Sequence, residues 1–103
     1  FCLSRGLGDV YKRQDKMIVI RDVAPAAPVH VLMIPKAHTE NIITAEPELL
    51  LYMFGKVKEL AEKLGVNDKG FRIVANTGDD GGQTVKHLHI HLLGGKALGW
   101  PPC

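Results

Sequence analysis

Apolar and polar positions divide the chain into several short strands and one helix. Lys16-Met17-Ile18-Val19-Ile20-Arg21 is a β-prone run closed by Asp22 and the breaker-rich Ala24-Pro25-Ala26-Ala27-Pro28. Val29-His30-Val31-Leu32-Met33-Ile34 is almost wholly apolar, which predicts a central strand, and Pro35 stops it. Lys36-Ala37-His38-Thr39 reads as a turn or the start of a short helical stretch. Thr44 or Glu46 beside Pro47 opens a helix, because proline suits the first helical turn. Leu50, Met53, Phe54, Val57, Leu60, Ala61 and Leu64 recur at helical spacing as one apolar stripe. Lys56, Lys58, Glu59, Glu62 and Lys63 form its solvated face, and Gly65 is placed as the C-terminal cap. Phe71-Arg72-Ile73-Val74-Ala75-Asn76 reads as a further strand. Strands and helix do not alternate strictly, so the pattern predicts an α+β fold with an antiparallel sheet.

The last apolar run carries the chemistry. In His87-Leu88-His89-Ile90-His91-Leu92-Leu93, three of the five histidines fall on alternate residues. Period two is the signature of a half-buried strand, so His87, His89 and His91 share one face at intervals of about 7 Å. Leu88, Ile90 and Leu92 anchor the other face. Imidazole titrates near neutrality and is costly to bury without a purpose. His30, on the earlier strand, has no place in this row and reads as a structural histidine.

The loop Asn76-Thr77-Gly78-Asp79-Asp80-Gly81-Gly82-Gln83-Thr84 leads into the histidines. Its glycines let backbone N–H groups approach an anionic ligand, and Gln83 and Thr84 add neutral donors. It is not a P-loop, since no Gly-Lys-Ser/Thr follows. Alone, such a loop is an ordinary connection; beside three aligned imidazoles it reads as a phosphate-binding loop. Neutral imidazole attacks phosphorus well and leaves well when protonated, so nucleophilic catalysis is one reading of the row. Metal binding is the other, because His-x-His pairs also ligate zinc, although no Asp, Glu or Cys lies within the strand. On residues alone, Asp22 is equally a turn cap, His38 a surface residue and Trp100 an ordinary core or interface aromatic.

Composition narrows the setting. With 103 residues, 46% of them hydrophobic and 23% charged, there is room for one small domain. A net charge of +2 gives no argument for nucleic acid or membrane attraction. No apolar run approaches the roughly 18 residues of a membrane span, and residues 1–14 lack an apolar h-region. Cys2 and Cys103 form neither a disulfide framework nor a metal knuckle, which fits a reducing, cytoplasmic setting.

Taken together, these stretches resemble a known family. His87 to Leu93 is similar to the His-φ-His-φ-His-φ-φ motif of the histidine-triad (HIT) superfamily. Asp80-Gly81-Gly82-Gln83-Thr84-Val85, Leu93-Gly94-Gly95 and the ending Trp100-Pro101-Pro102 resemble its Hint-type branch, the purine nucleoside phosphoramidases. Asp22, the Ala-Pro-rich turn, Val31-Leu32-Met33-Ile34-Pro35-Lys36 and His38 fit the same branch in order and spacing, over a domain at 15–103.

The resemblance implies an antiparallel sheet of about five strands with one main helix, and two sheets joined across a homodimer. It implies that His89 is the nucleophile carrying a nucleotidyl group, with His87 and His91 flanking it. His38 would handle the leaving-group proton. Asn76, Gly82, Gln83 and Thr84 would hold the phosphate, Thr84 standing where serine is common. Asp22 would bind ribose hydroxyls, Val23 line the base pocket and Trp100 reach the partner's site. The implied reaction is cleavage of the P–N bond of purine nucleoside 5′-phosphoramidates, with no metal or other cofactor. A low-turnover nucleotide-binding or scaffold protein, or a dinucleoside polyphosphate hydrolase, is the alternative. Residues 1–14 match nothing in the family's N-terminal segment. They read as foreign sequence joined to a truncated frame, with a divergent natural start as the alternative.

Overall fold

The apolar runs become strands of one antiparallel sheet in the computed structural model, which describes residues 16–102. The strands are β1 (Met17–Arg21), β2 (Val29–Pro35), β3 (Phe71–Val74) and β4 (Ile90–Gly94), in the order β1-β2-β4-β3. Every neighbouring pair is antiparallel. The sheet has four strands among the described residues where about five were expected, and the atypical segment 1–14 lies outside those residues.

Strand parity separates two faces. Met17, Val19, Val31, Met33, Ile90 and Leu92 point to one, where they pack with Met53, Leu60 and Ala61 of the helical layer. Ile18, Ile20, Leu32 and Ile34 form a smaller cluster on the other. Leu32 lies opposite His91 in the β2–β4 register, so this second face is the one that carries the histidines. β2 places apolar side chains on both faces, and Val31, Leu32, Met33 and Ile34 are all buried. Leu88, Ile90 and Leu92 are at most 2% exposed, and each contributes about 1.5–3 kcal/mol by burial, which holds the histidine run against the helices.

The helix predicted over 47–64 is interrupted for one residue. α1 spans Pro47–Gly55 and α2 spans Val57–Leu64. Gly55 is a poor helix former, and the following Lys56 N–H turns back three residues to the Met53 carbonyl at 3.1 Å. Pro47 occupies the first turn and Gly65 caps the end at φ 72°, both as the pattern predicts. Phe54 departs from the buried stripe and is 47% exposed, beside Leu51 at 76%. No helix among the described residues is long and apolar enough to cross a membrane.

The histidine strand begins later than its alternation suggests. Paired ladder starts at Ile90, leaving His87 and His89 in the approach to it. The cause is Pro35, which has no N–H to continue the β2 ladder. The His87 ring takes the Pro35 carbonyl instead, Nε2 to O 2.9 Å. The Leu88 N–H donates to the Thr39 carbonyl at 2.7 Å, outside the sheet. The alternation itself persists: Leu88 is buried while His87 and His89 are half-buried. On the other side, β3 ends at Val74, and Ala75 and Asn76 lead into the glycine loop rather than extending the strand.

Candidate active site

A cavity of about 520 Å³ opens on the histidine face of the sheet. Ile20 and Leu32 contribute an apolar floor, with Val23 and Val85 beside them. Asp22 enters from the end of β1, and Asn76, Gly82 and Thr84 enter from the glycine loop. Arg21, which sequence reasoning did not single out, joins His89 and His91 to complete the wall. Apolar side chains on one part of the wall and convergent donors on another suit a ligand with a flat ring and an anionic end.

The histidines divide into two hydrogen-bonded chains. In the first, the Ala26 N–H donates to His30 Nδ1 at 3.0 Å, which places the neutral His30 proton on Nε2. That Nε2 lies 2.8 Å from His91 Nδ1 and 3.4 Å from an oxygen of Asp22. His30 therefore donates to His91, and the His91 proton sits on its own Nε2, as a donor. Burial, with the charges of His89 and His30 adding to it, lowers the His91 pKa below its ordinary 6.5, against a weaker opposing pull from Asp22. His91 is thus a neutral donor at pH 7.

In the second chain, the Pro35 carbonyl accepts only, so His87 carries its proton on Nε2. His87 Nδ1 then accepts from His38 Nδ1 at 3.0 Å, which leaves the lone pair of His38 on Nε2. His89 donates Nδ1–H to the His87 carbonyl at 2.8 Å, so its lone pair is on Nε2. A backbone carbonyl thus fixes the tautomer of the central histidine, with the lone pair on Nε2. The rings of His89 and His91 stand 5.1 Å apart, edge to face.

Of the residues singled out from the sequence, Asp22, Val23, Asn76, Gly82, Thr84, His89 and His91 line the cavity. His87 and His38 are not among its lining residues and face each other, with ring centroids 5.0 Å apart. Gln83 belongs to the loop, but its side-chain amide bonds within the protein, to Asn41, Gly78, Glu40 and Val85. Trp100 is 81% exposed and does not line the cavity of its own chain. Asp22 also takes the turn-capping role, one oxygen accepting the Ala24 N–H at 2.8 Å.

His30, read from the sequence as a structural histidine, is hydrogen-bonded to residues of the cavity wall. It is 8% exposed, yet it bridges Asp22 to His91 rather than filling the core. A signal existed in its parity: His30 alternates with Leu32 and Ile34, so an antiparallel neighbour brings it to the face of His91. Reading that signal requires knowing which strands pair.

Among the described residues, one group could hold a metal. Ligand atoms of Asp22, His30 and His91 lie within 4.8 Å of one another, so the carboxylate absent from the histidine strand arrives from β1. The proton on His30 Nε2 occupies this geometry, however. A cation would have to displace it and cost His30 the Ala26 N–H bond, so the cluster is satisfied as a hydrogen-bonded chain.

Comparison with known proteins agrees with this architecture. An uncharacterized HIT-like protein of Synechococcus elongatus is 50% identical over 97 residues, covering 91% of this chain and 84% of that protein. A HIT family hydrolase from Legionella pneumophila superposes with a TM-score of 0.82 at 40% identity, over 86% of this chain and 82% of its own. A HIT family hydrolase from Clostridium thermocellum gives 0.80 at 43% identity, over 86% and 80%. The HIT domain family model matches residues 8–98, and the chain belongs to this family.

Proposed function

We propose that the protein hydrolyses the P–N bond of purine nucleoside 5′-phosphoramidates in two displacements at phosphorus, as a Hint-type member of its family. The observation that carries this reading is the tautomer chain. His89, held by the His87 carbonyl, presents the Nε2 lone pair as nucleophile, and His91, held by His30, is a donor on the same cavity wall. A nucleophile beside a fixed donor at a phosphate-sized loop is what displacement at phosphorus requires.

The nucleoside occupies the apolar part of the cavity at Ile20, Val23 and Leu32, its ribose toward Asp22. The phosphoryl oxygens meet Gly82, Asn76, Thr84 and His91. His89 attacks phosphorus, the P–N bond breaks, and the amine leaves with a proton from His38 Nε2, which first takes it up from solvent because the resting tautomer carries a lone pair there. Water then attacks the nucleotidyl-imidazole, releasing nucleoside monophosphate and restoring the ring. The scheme uses no metal.

The resemblance to the Hint-type branch extends the proposal to a cytoplasmic homodimer. β3 is an edge strand among the described residues, with Phe71 37% exposed at its start, and it is the edge on which a second sheet would continue. In that assembly Trp100 reaches the partner's cavity. Its segment is already held near β3, where Arg72 donates to the Gly99 carbonyl at 2.7 Å.

The test is release of AMP from an adenosine phosphoramidate in excess EDTA, beside His89→Ala. Turnover that persists in EDTA and disappears in the variant supports the scheme. Loss in EDTA contradicts metal-free chemistry. AMP binding without turnover by the unaltered chain makes the protein a nucleotide-binding module instead.

A further inference from the structure

Asn41 is 7% exposed, and its role is set by the bonds it makes rather than by any motif. Its Oδ1 accepts the N–H groups of Ile43 and Thr44, at 2.9 and 3.3 Å, and so closes the turn at 41–44. Its Nδ2 donates across the fold to Gln83 Oε1 at 3.3 Å. That same Gln83 oxygen accepts the Gly78 N–H at 3.0 Å. Gln83 Nε2 donates to the carbonyls of Glu40 at 2.7 Å and Val85 at 3.1 Å. A primary amide has two acceptor sites and two N–H bonds, and all four of Gln83's are in use.

We propose that Asn41 is a positioning residue, and that the Asn41–Gln83 amide pair clamps the glycine loop to the segment bearing His38. Three pieces of chain meet at the pair: 38–45, the loop 76–84, and the run into His87. The Gln83 N–H also donates to the Gly78 carbonyl at 3.0 Å, so the loop is pinned on both its backbone and its side chain. A few residues on, the Leu88 N–H meets the Thr39 carbonyl at 2.7 Å, and His38 meets His87 at 3.0 Å. The clamp thus sets the height of Gly82 and Thr84 on the cavity wall and the His38–His87 contact together. Gln83 acts on phosphate through the loop and not by touching it. The nucleoside end of the cavity, at Ile20, Asp22 and Leu32, is built from β1 and β2 and does not depend on the pair.

The consequence for phosphate rests on the function proposed above, and the experiment separates the two. The full chain is titrated calorimetrically with adenosine and with AMP, as wild type, Asn41→Ala, Asn41→Asp, Gln83→Ala and the Asn41→Ala/Gln83→Ala double variant. Asn41→Asp keeps the turn-closing oxygen and replaces only the donor with an acceptor facing Gln83. Each variant is expected to lose about tenfold or more of the preference for AMP over adenosine, the scale of one hydrogen bond to a charged group, with adenosine affinity unchanged. The double variant is expected to lose less than the sum of the two alanine singles, because the shared Asn41–Gln83 bond is broken in each. Equal weakening of adenosine and AMP would mean that Asn41 merely supports the fold, and overturns the proposal. So does loss in Gln83→Ala with full retention in both Asn41 variants, which would place Gln83 directly on phosphate. If the wild type does not prefer AMP, the functional reading fails, and amide exchange decides the clamp without ligand. Faster exchange at Gly78 and Leu88 in Asn41→Asp supports it, and wild-type rates overturn it.

Discussion

At the residue scale, the proposed chemistry rests on proton placement. A carbonyl fixes His89, another fixes His87, and the Ala26 N–H fixes His91 through His30. His30→Gln removes the ring that holds the His91 tautomer while keeping a polar side chain. It is expected to lower kcat by about tenfold or more, with KM little changed, since the interaction matters most when charge develops on phosphate. Steady-state kinetics check this, and an unaltered kcat would return His30 to a structural role. The lowered pKa of His91 has a second consequence, for stability. As pH falls through 6.5, this residue takes up its proton in the unfolded chain before it does so in the folded one. Its contribution to stability therefore declines below that pH and levels off beneath the folded-state value. Urea midpoints between pH 8 and pH 5 are expected to fall less for His91→Gln than for the wild type; parallel curves would contradict the assignment.

At the element scale, the glycine loop stands on a constraint that is absolute at one position. A Cβ on Gly81 would run into the Thr77 backbone, carbonyl and nitrogen both. Gly81 also supplies the carbonyl that takes the Asn76 amide at 2.7 Å. Gly81→Ala is expected to displace the loop and reduce AMP affinity by about tenfold while the strands stay folded, because the clash is confined to the turn. Calorimetric binding with a circular dichroism melt distinguishes this from global loss of structure. Most elements were legible in advance because each obeys a local rule. Alternation marks the histidine run, an unbroken apolar run marks β2, and Pro47 and Gly65 bracket the helices. What was not legible came from partnership between distant segments. The ladder starts at Ile90 because Pro35, 55 positions earlier in the chain, offers no donor. Asn41 meets Gln83 only once the fold is closed, and no spacing in the sequence connects them. The interruption at Lys56 is local, but the strong apolar stripe hides the cost of Gly55.

At the scale of the whole molecule, one sheet separates a structural face from a chemical one. The helices cover the first and the cavity opens on the second, with Leu88, Ile90 and Leu92 anchoring the run from behind. The proposed dimer would continue this sheet at β3. Phe71→Asp places a charge at that edge and is expected to shift sedimentation from twice the 11.3 kDa chain mass to the monomer value. A wild type that sediments as a monomer would remove the dimer from the account. The central claim is covalent: the nucleotidyl group passes through the ring of His89. Rapid acid-free quenching of the reaction with an adenosine phosphoramidate, followed by peptide mass spectrometry, tests it most directly. The account predicts one adenylyl group on the peptide containing His89, absent from His89→Ala and from wild type without substrate. Full turnover with no adduct at any quench time, together with incorporation of solvent oxygen by inversion at a chiral phosphorus, would contradict it.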